Sequence, residues 1–102
     1  MIIQTAFLRC APQDADRVAA ALARVAAIAL TDEPETVDYL VLRGPTEADG
    51  VLFTTVESFS GPAGLEAHNT SASVAAFFAE AGPLLSAPPE VLVNTVVAPA
   101  QA

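Results

Sequence analysis

Residues 36–59 read TVDYLVLRGPTEADGVLFTTVESF. Two runs rich in β-branched and aromatic side chains, 36–43 and 51–59, flank the connector GPTEADG at 44–50, which holds two glycines and a proline. This pattern is typical of two antiparallel strands joined as a hairpin. The stretch therefore predicts the centre of an antiparallel sheet.

The flanking sequence supplies the remaining elements of the domain. We predict a strand at 2–10, a helix at 13–30, a short helical turn through His68, a helix at about 71–81, a loop at 84–90 and a strand at 91–97. The order β-α-β-β-α-β predicts a ferredoxin-like α+β fold, with a four-stranded antiparallel sheet and both helices on one face. Residues 1–97 form a single domain in this interpretation, and 98–102 form a frayed tail.

Two of the predicted strands are apolar on both of their alternating faces. These are TVDYLVLR at 36–43 and VLVNTVV at 91–97. Two helices can cover only one side of a sheet, so the other apolar side needs a cover of its own. We expect a second copy of the sheet to cover it, in a homodimer packed sheet face to sheet face.

Composition excludes several classes of partner. The chain of 102 residues has a net charge of −8 and only four basic residues, all of them scattered arginines, so nucleic acid and anionic membranes are not expected partners. One cysteine and one histidine make a metal site of His and Cys ligands improbable. The sequence starts without the pattern of a signal peptide, and its longest apolar run, 18–30, contains Arg24. A cytoplasmic location is therefore expected.

Several short motifs follow one another in a familiar order. Glu33-Pro34 precedes a strand carrying Tyr39, and the next strand ends in Glu57 and an aromatic residue. The turn from Leu65 to His68 follows, and then a helix with Phe77. In this order and spacing the chain resembles the antibiotic biosynthesis monooxygenase superfamily, whose small members include quinol monooxygenases. The resemblance covers roughly residues 33–97.

The resemblance implies a dimeric α+β barrel. For catalytic members it also implies oxidation of quinol-like or polycyclic phenolic substrates by dioxygen, with no metal, flavin or other cofactor. Two positions depart from the usual pattern: Glu35 stands where a glycine follows Glu-Pro, and Ser73 stands near the place of a second histidine. The chain has no tryptophan, which argues against the haem-degrading branch.

His68 is the one side chain whose ordinary pKa suits proton transfer near neutrality. We expect it to act as the catalytic group, either as a neutral imidazole that deprotonates a phenol in an apolar pocket or as a hydrogen-bond partner of the substrate. The alternative is structural. In that interpretation His68 ends a short helix, where exposed carbonyls favour its cation.

Four further side chains are predicted to contact a substrate: Tyr39, Asn94, Phe53 and Phe77. Tyr39 either orients a polar substrate group or lies at an interface, and Asn94 either faces the pocket or bonds at a sheet edge. The two phenylalanines are core residues that can also form a wall against a flat ring.

Two other residues with reactive side chains are expected to be structural. Glu57 is expected to pair with Arg43 across the hairpin instead of acting in catalysis. Cys10 is expected to be a small buried residue.

The leading hypothesis is a small dimeric, cofactor-free monooxygenase acting on a quinol-like or polycyclic phenol. One alternative is a non-catalytic dimeric binding or stress-associated module with the same fold, which Glu35 and Ser73 favour. Another is a cyclase or isomerase, which would use the pocket without oxygen.

Overall fold

The protein is described by a computed structural model that covers residues 1–98. The strands and helices, in chain order, are β1 (Ile2–Cys10), α1 (Ala15–Asp32), β2 (Thr36–Arg43), β3 (Val51–Phe59), α2 (Pro62–Asn69), α3 (Ala72–Ala81) and β4 (Glu90–Thr95). Single turns of 3₁₀ helix at Pro12–Asp14 and Gly82–Leu84 precede α1 and follow α3. The first three strands have the bounds that the sequence predicts.

The four strands form one antiparallel sheet in the order β2-β3-β1-β4. The hairpin pairs β2 with β3, and the first and last strands lie side by side. Strand order and connectivity are those of the ferredoxin-like arrangement, so the predicted fold class is confirmed.

The core lies between one face of the sheet and the helices. Alternate residues of β3 are buried along its whole length, as expected of a strand with one covered face. Helix α1 turns a stripe that includes Val18, Leu22 and Val25 toward them. Helix α3 adds Phe77 and Ala81 to the same cluster. Both long helices therefore cover one face, as predicted.

Three element boundaries differ from the prediction by two residues each. The first helix begins at Ala15 because Pro12 starts a separate 3₁₀ turn. The same helix continues to Asp32. The Thr31 hydroxyl donates to the carbonyl of Ala27, which allows this residue to lie in the last turn. The last strand ends at Thr95, two residues earlier than expected. The predicted tail, 98–102, lies outside the described residues from residue 99 onward.

The opposite face of the sheet has no helix on it. Leu40 and Leu42 of β2 and Leu92 of β4 are among its exposed apolar side chains. This surface is the one that the apolar strand pattern leaves uncovered, and we call it the open face.

Candidate functional site

A cavity of about 270 Å³ lies between the covered face of the sheet and the helices. One part of its wall is apolar and is formed by residues that include Leu8, Leu22, Val25, Phe77, Phe78 and Val91. The other part is polar and consists of Gln4, Tyr39, Thr55, Glu57, His68 and Asn69. An apolar cavity with a few convergent polar groups is the usual form of a small-molecule site.

His68 lies between two carboxylates at the polar end. Its Nδ1 is 2.8 Å from Glu33 Oε1, and its Nε2 is 3.3 Å from Glu57 Oε1. The histidine comes from α2, Glu33 from the first residue after α1, and Glu57 from β3, so three separate segments meet at one imidazole. The histidine is only 2% exposed, which keeps water from screening these contacts.

These contacts determine the charge of the histidine. Burial acts to lower the pKa of His68, but the hydrogen bonds to Glu57 and Glu33 and their negative charges outweigh it, so the pKa lies above its ordinary value. A carboxylate at each ring nitrogen favours the imidazolium, the form in which both nitrogens are donors. This geometry favours the protonated ring over the neutral imidazole base that the sequence suggested. His68 also lies in the last turn of α2, as the helix-end alternative expects, and carboxylates contact both of its ring nitrogens.

Glu57 does not pair with Arg43, contrary to the prediction. In the hairpin register Glu57 lies opposite Tyr39, and Arg43 lies opposite Phe53. Phe53 and Glu57 are four positions apart along β3, which corresponds to a distance of roughly 13 Å. Arg43 instead donates to Asp16 of α1 at 2.8 Å.

The Glu57 carboxylate is surrounded by donors. Its Oε1 accepts from Gln4 Nε2 at 2.9 Å and faces the His68 ring, and its Oε2 accepts from the Thr55 hydroxyl at 2.6 Å. Only 3% of Glu57 is exposed. Such donors are what allow a carboxylate to be buried next to an apolar cavity.

Tyr39 packs edge-on against the histidine, with ring centroids 5.4 Å apart. Burial raises the pKa of the Tyr39 phenol well above its ordinary range, and the negative charges of Glu57 and Glu33 raise it further. The hydroxyl therefore stays protonated and remains a hydrogen-bond donor at the cavity.

Gln4 and Asn69 form a reciprocal amide pair beside Glu57. Gln4 Nε2 donates to Asn69 Oδ1 at 2.9 Å, and Asn69 Nδ2 donates to Gln4 Oε1 at 3.1 Å. The pair joins β1 to the end of α2. It leaves one N–H of Asn69 free of these partners at the cavity wall.

Three of the five predicted site residues meet in the cavity and two do not. His68, Tyr39 and Phe77 line it. Phe53 is fully buried in the core, with the Arg43 guanidinium 5.8 Å from its ring centroid. Asn94 is exposed on the open face, where it donates to the Thr5 hydroxyl at 3.4 Å.

Sequence reasoning missed Gln4, Asn69 and the roles of Glu33 and Glu57. A signal for Glu57 was present, because it occupies the same alternating positions of β3 as Phe53 and Phe59 and must share their buried face. Gln4 stands likewise in an apolar strand. No local pattern indicates that Glu33 reaches His68, since the two are 35 residues apart.

Two further properties bear on function. Within residues 1–98, no group of three or more His, Cys, Asp or Glu side chains could hold a metal ion. In the same range, no helix is long and apolar enough to cross a membrane. Cys10 is buried in the core, as expected.

The fold and cavity define a ferredoxin-like α+β protein with a largely apolar site between sheet and helices, and solved structures of that class match nearly the whole chain. A protein of Caulobacter crescentus CB15 named a "putative antibiotic biosynthesis monooxygenase" is 25% identical, with a TM-score of 0.84 over 95% of this chain and 90% of that one. A protein of the same name from Nitrosomonas europaea is 11% identical, with a TM-score of 0.84 over 96% and 100%. Rv0793 of Mycobacterium tuberculosis is 21% identical, with a TM-score of 0.82 over 97% of each chain.

No family sequence model and no curated protein matches the chain. The structural matches confirm its resemblance to the antibiotic biosynthesis monooxygenase superfamily. The quinol-oxidising subtype stays a prediction.

Proposed function

We propose that the protein is a monooxygenase that oxidises a quinol-like or phenolic ring with dioxygen and without a cofactor. The observation that carries the proposal is the Glu33–His68–Glu57 cluster at the polar end of an otherwise apolar cavity. The apolar walls of such a cavity can hold a flat ring, and the polar cluster can accept the proton of the ring hydroxyl. Deprotonation is the first need of this chemistry, because a phenolate gives up an electron more easily than a phenol.

The cavity supports a compact ring system as the substrate. Its volume of about 270 Å³ lies just below the usual range of ligand sites, which is about 300 to 1,000 Å³. Phe77 and Phe78, whose centroids are 5.2 Å apart, supply aromatic surface at one wall. A ring of one or two fused units is therefore a better candidate than a large polycyclic compound.

Glu57 is the group best placed to accept the hydroxyl proton. Gln4 and His68 contact Oε1 and Thr55 donates to Oε2, while the carboxylate itself lines the cavity. The His68 cation lies next to it and would stabilise the phenolate as it forms. In this proposal His68 is an electrostatic catalyst and Tyr39 a hydrogen-bond donor to the substrate.

The substrate supplies all the electrons. The phenolate transfers one electron to dioxygen, the two radicals combine at a ring carbon, and Glu57 returns its proton to the peroxide. Loss of water then leaves a carbonyl group. Quinol and dioxygen thus give a hydroxyquinone and water, and each product receives one of the two oxygen atoms of dioxygen.

Oxygen uptake with a reduced naphthoquinone tests this function. We expect uptake above the buffer blank for the wild type and at least a hundredfold slower turnover for Glu57→Gln, because general acid–base groups contribute about 10²- to 10⁴-fold. Glu66→Gln is the matched control, since Glu66 is an exposed residue on α2 outside the cavity lining. Uptake equal to the blank across several quinols would remove the enzymatic proposal.

A non-catalytic binding module is the second candidate, and one observation favours it. Within the described residues every buried side-chain nitrogen and oxygen already has a hydrogen-bond partner, so the cluster is stable without a substrate. Saturable quinol binding without oxygen uptake would select this candidate.

We also propose that a second copy of the chain covers the open face. The support is the row of exposed leucines there, including Leu40, Leu42 and Leu92. Apolar patches of this kind mark association surfaces.

A further inference from the structure

The polar end of the cavity has an unbalanced charge. Glu33 and Glu57 both face His68, at 2.8 Å and 3.3 Å. With the imidazole protonated, two negative charges and one positive charge leave a net charge of −1. Tyr39, the other titratable side chain packed against the ring, is neutral when protonated.

The arginines do not correct this imbalance. Three of the four arginines pair with carboxylates elsewhere: Arg43 with Asp16, Arg24 with Glu80, and Arg9 with Asp49 at 3.6 Å. No arginine is among the described residues that line the cavity. Among the described residues that line the cavity, therefore, no side chain other than His68 can carry a compensating positive charge.

We propose that Glu33 determines the charge specificity of the cavity, so that it binds uncharged ring compounds bearing a hydroxyl and rejects those with an anionic substituent. The inference rests on the proposed function in that it takes this cavity as the ligand site. It adds the substrate class: neutral phenols and quinols, and not their carboxylated or sulfonated relatives.

The effect of Glu33 is carried by charge and not by contact. Glu33 lies behind His68 and is outside the lining of the cavity. A unit charge about 10 Å from a ligand anion, at an effective dielectric constant of about 20, changes binding on the order of tenfold. Glu33 is therefore a positioning residue that sets the field at the site.

Glu33→Gln isolates that charge. Glutamine keeps the shape and retains an oxygen that can accept the Nδ1–H of His68, whereas the carboxylate charge is lost. The matched control is Glu66→Gln, which removes one charge from the surface of α2, the helix that carries His68.

Two matched probes separate charge from size: a hydroxynaphthamide and the hydroxynaphthoate of the same shape. Their affinities are measured by calorimetry without oxygen. The pH is set, from the NMR signals of the single histidine, where His68 is protonated in all three proteins. The carboxylate of the hydroxynaphthoate must also be ionised at the chosen pH, and a pH of about 6 satisfies this second condition.

We expect the wild type and Glu66→Gln to bind the amide about tenfold more tightly than the carboxylate. In Glu33→Gln this ratio should fall toward one, mainly through tighter binding of the carboxylate. The NMR spectrum checks that the variant is folded.

Three results contradict the inference. They are equal affinity of the wild type for the two probes, an unchanged ratio in Glu33→Gln, and no binding of either probe to the wild type. The first and third are measured on the wild type, so they hold even if the variant does not fold. Because no oxygen is present, selective binding without turnover would support this inference while removing the monooxygenase proposal.

Discussion

At the scale of single residues, the site depends on one imidazole that bridges two carboxylates. A histidine whose pKa is raised on folding adds stability that is fully present below its unfolded pKa of about 6.5. That stability is lost as the pH rises through the folded-state pKa. The ion cluster therefore makes the fold sensitive to pH on the alkaline side.

His68→Gln tests this linkage. Loss of the cation leaves two carboxylates buried near each other, so we expect the free energy of unfolding to fall by about 3 kcal/mol near neutral pH. The deficit relative to the wild type should shrink as the pH rises above about 6.5 and through the raised pKa of the wild-type histidine, because the ring loses its charge there. Urea unfolding across that range measures the difference. A deficit that does not change with pH would contradict a charged His68.

At the scale of elements, α2 buries few of its own residues. Of its eight residues only Gly64 and His68 are buried. The Ser60 N–H, just before the helix, donates to the carbonyl of Glu35 at 2.9 Å. The segment Glu33–Glu35 thus fixes the helix that carries His68, and its geometry determines that of the site.

Gly64→Ala tests this attachment. An added Cβ would lie 2.7 Å from the Cβ of Glu35 and 3.3 Å from its carbonyl oxygen, so α2 must move. We expect a loss of about 1–3 kcal/mol in unfolding free energy, reduced by the better helix propensity of alanine. Gly82→Ala is the control, because a Cβ there meets nothing within 4 Å. Equal thermal stability of the two variants would contradict this prediction, because it would show that the structure accommodates the added Cβ without cost.

At the scale of the whole molecule, the sheet has one covered and one open face. The Leu42 side chain lies on the open face and is 48% exposed, whereas Leu30, 50% exposed, lies on α1. The two leucines have nearly the same exposed fraction and differ in the surface on which they lie. They form a matched pair for testing association.

We expect Leu42→Lys to convert a wild-type dimer to monomers, because a charge would be buried in the interface without a partner. Leu30→Lys should leave the dimer intact. Light scattering after size-exclusion chromatography gives the masses. A monomeric wild type at tens of micromolar would rule out the proposed cover.

The amino-acid sequence by itself determined the elements and their order. Strand alternation, the glycines and proline of the 44–50 connector and the helical apolar stripe act over a few residues, so β1, β2 and β3 were predicted with their observed bounds. The sequence also pointed to His68, Tyr39 and Phe77 as residues of one site.

Only the tertiary structure decided which side chains meet. The hairpin register places Tyr39 opposite Glu57, and Arg43 binds Asp16 instead. Asn94 lies on the face of β4 that points away from the cavity. A one-residue change of register would reverse every such assignment, because side chains alternate between faces. The contact of Glu33 with His68 likewise exists only once α1 and α2 have packed on the sheet. That contact gives the His68 ring a carboxylate partner, which raises the pKa of the imidazole.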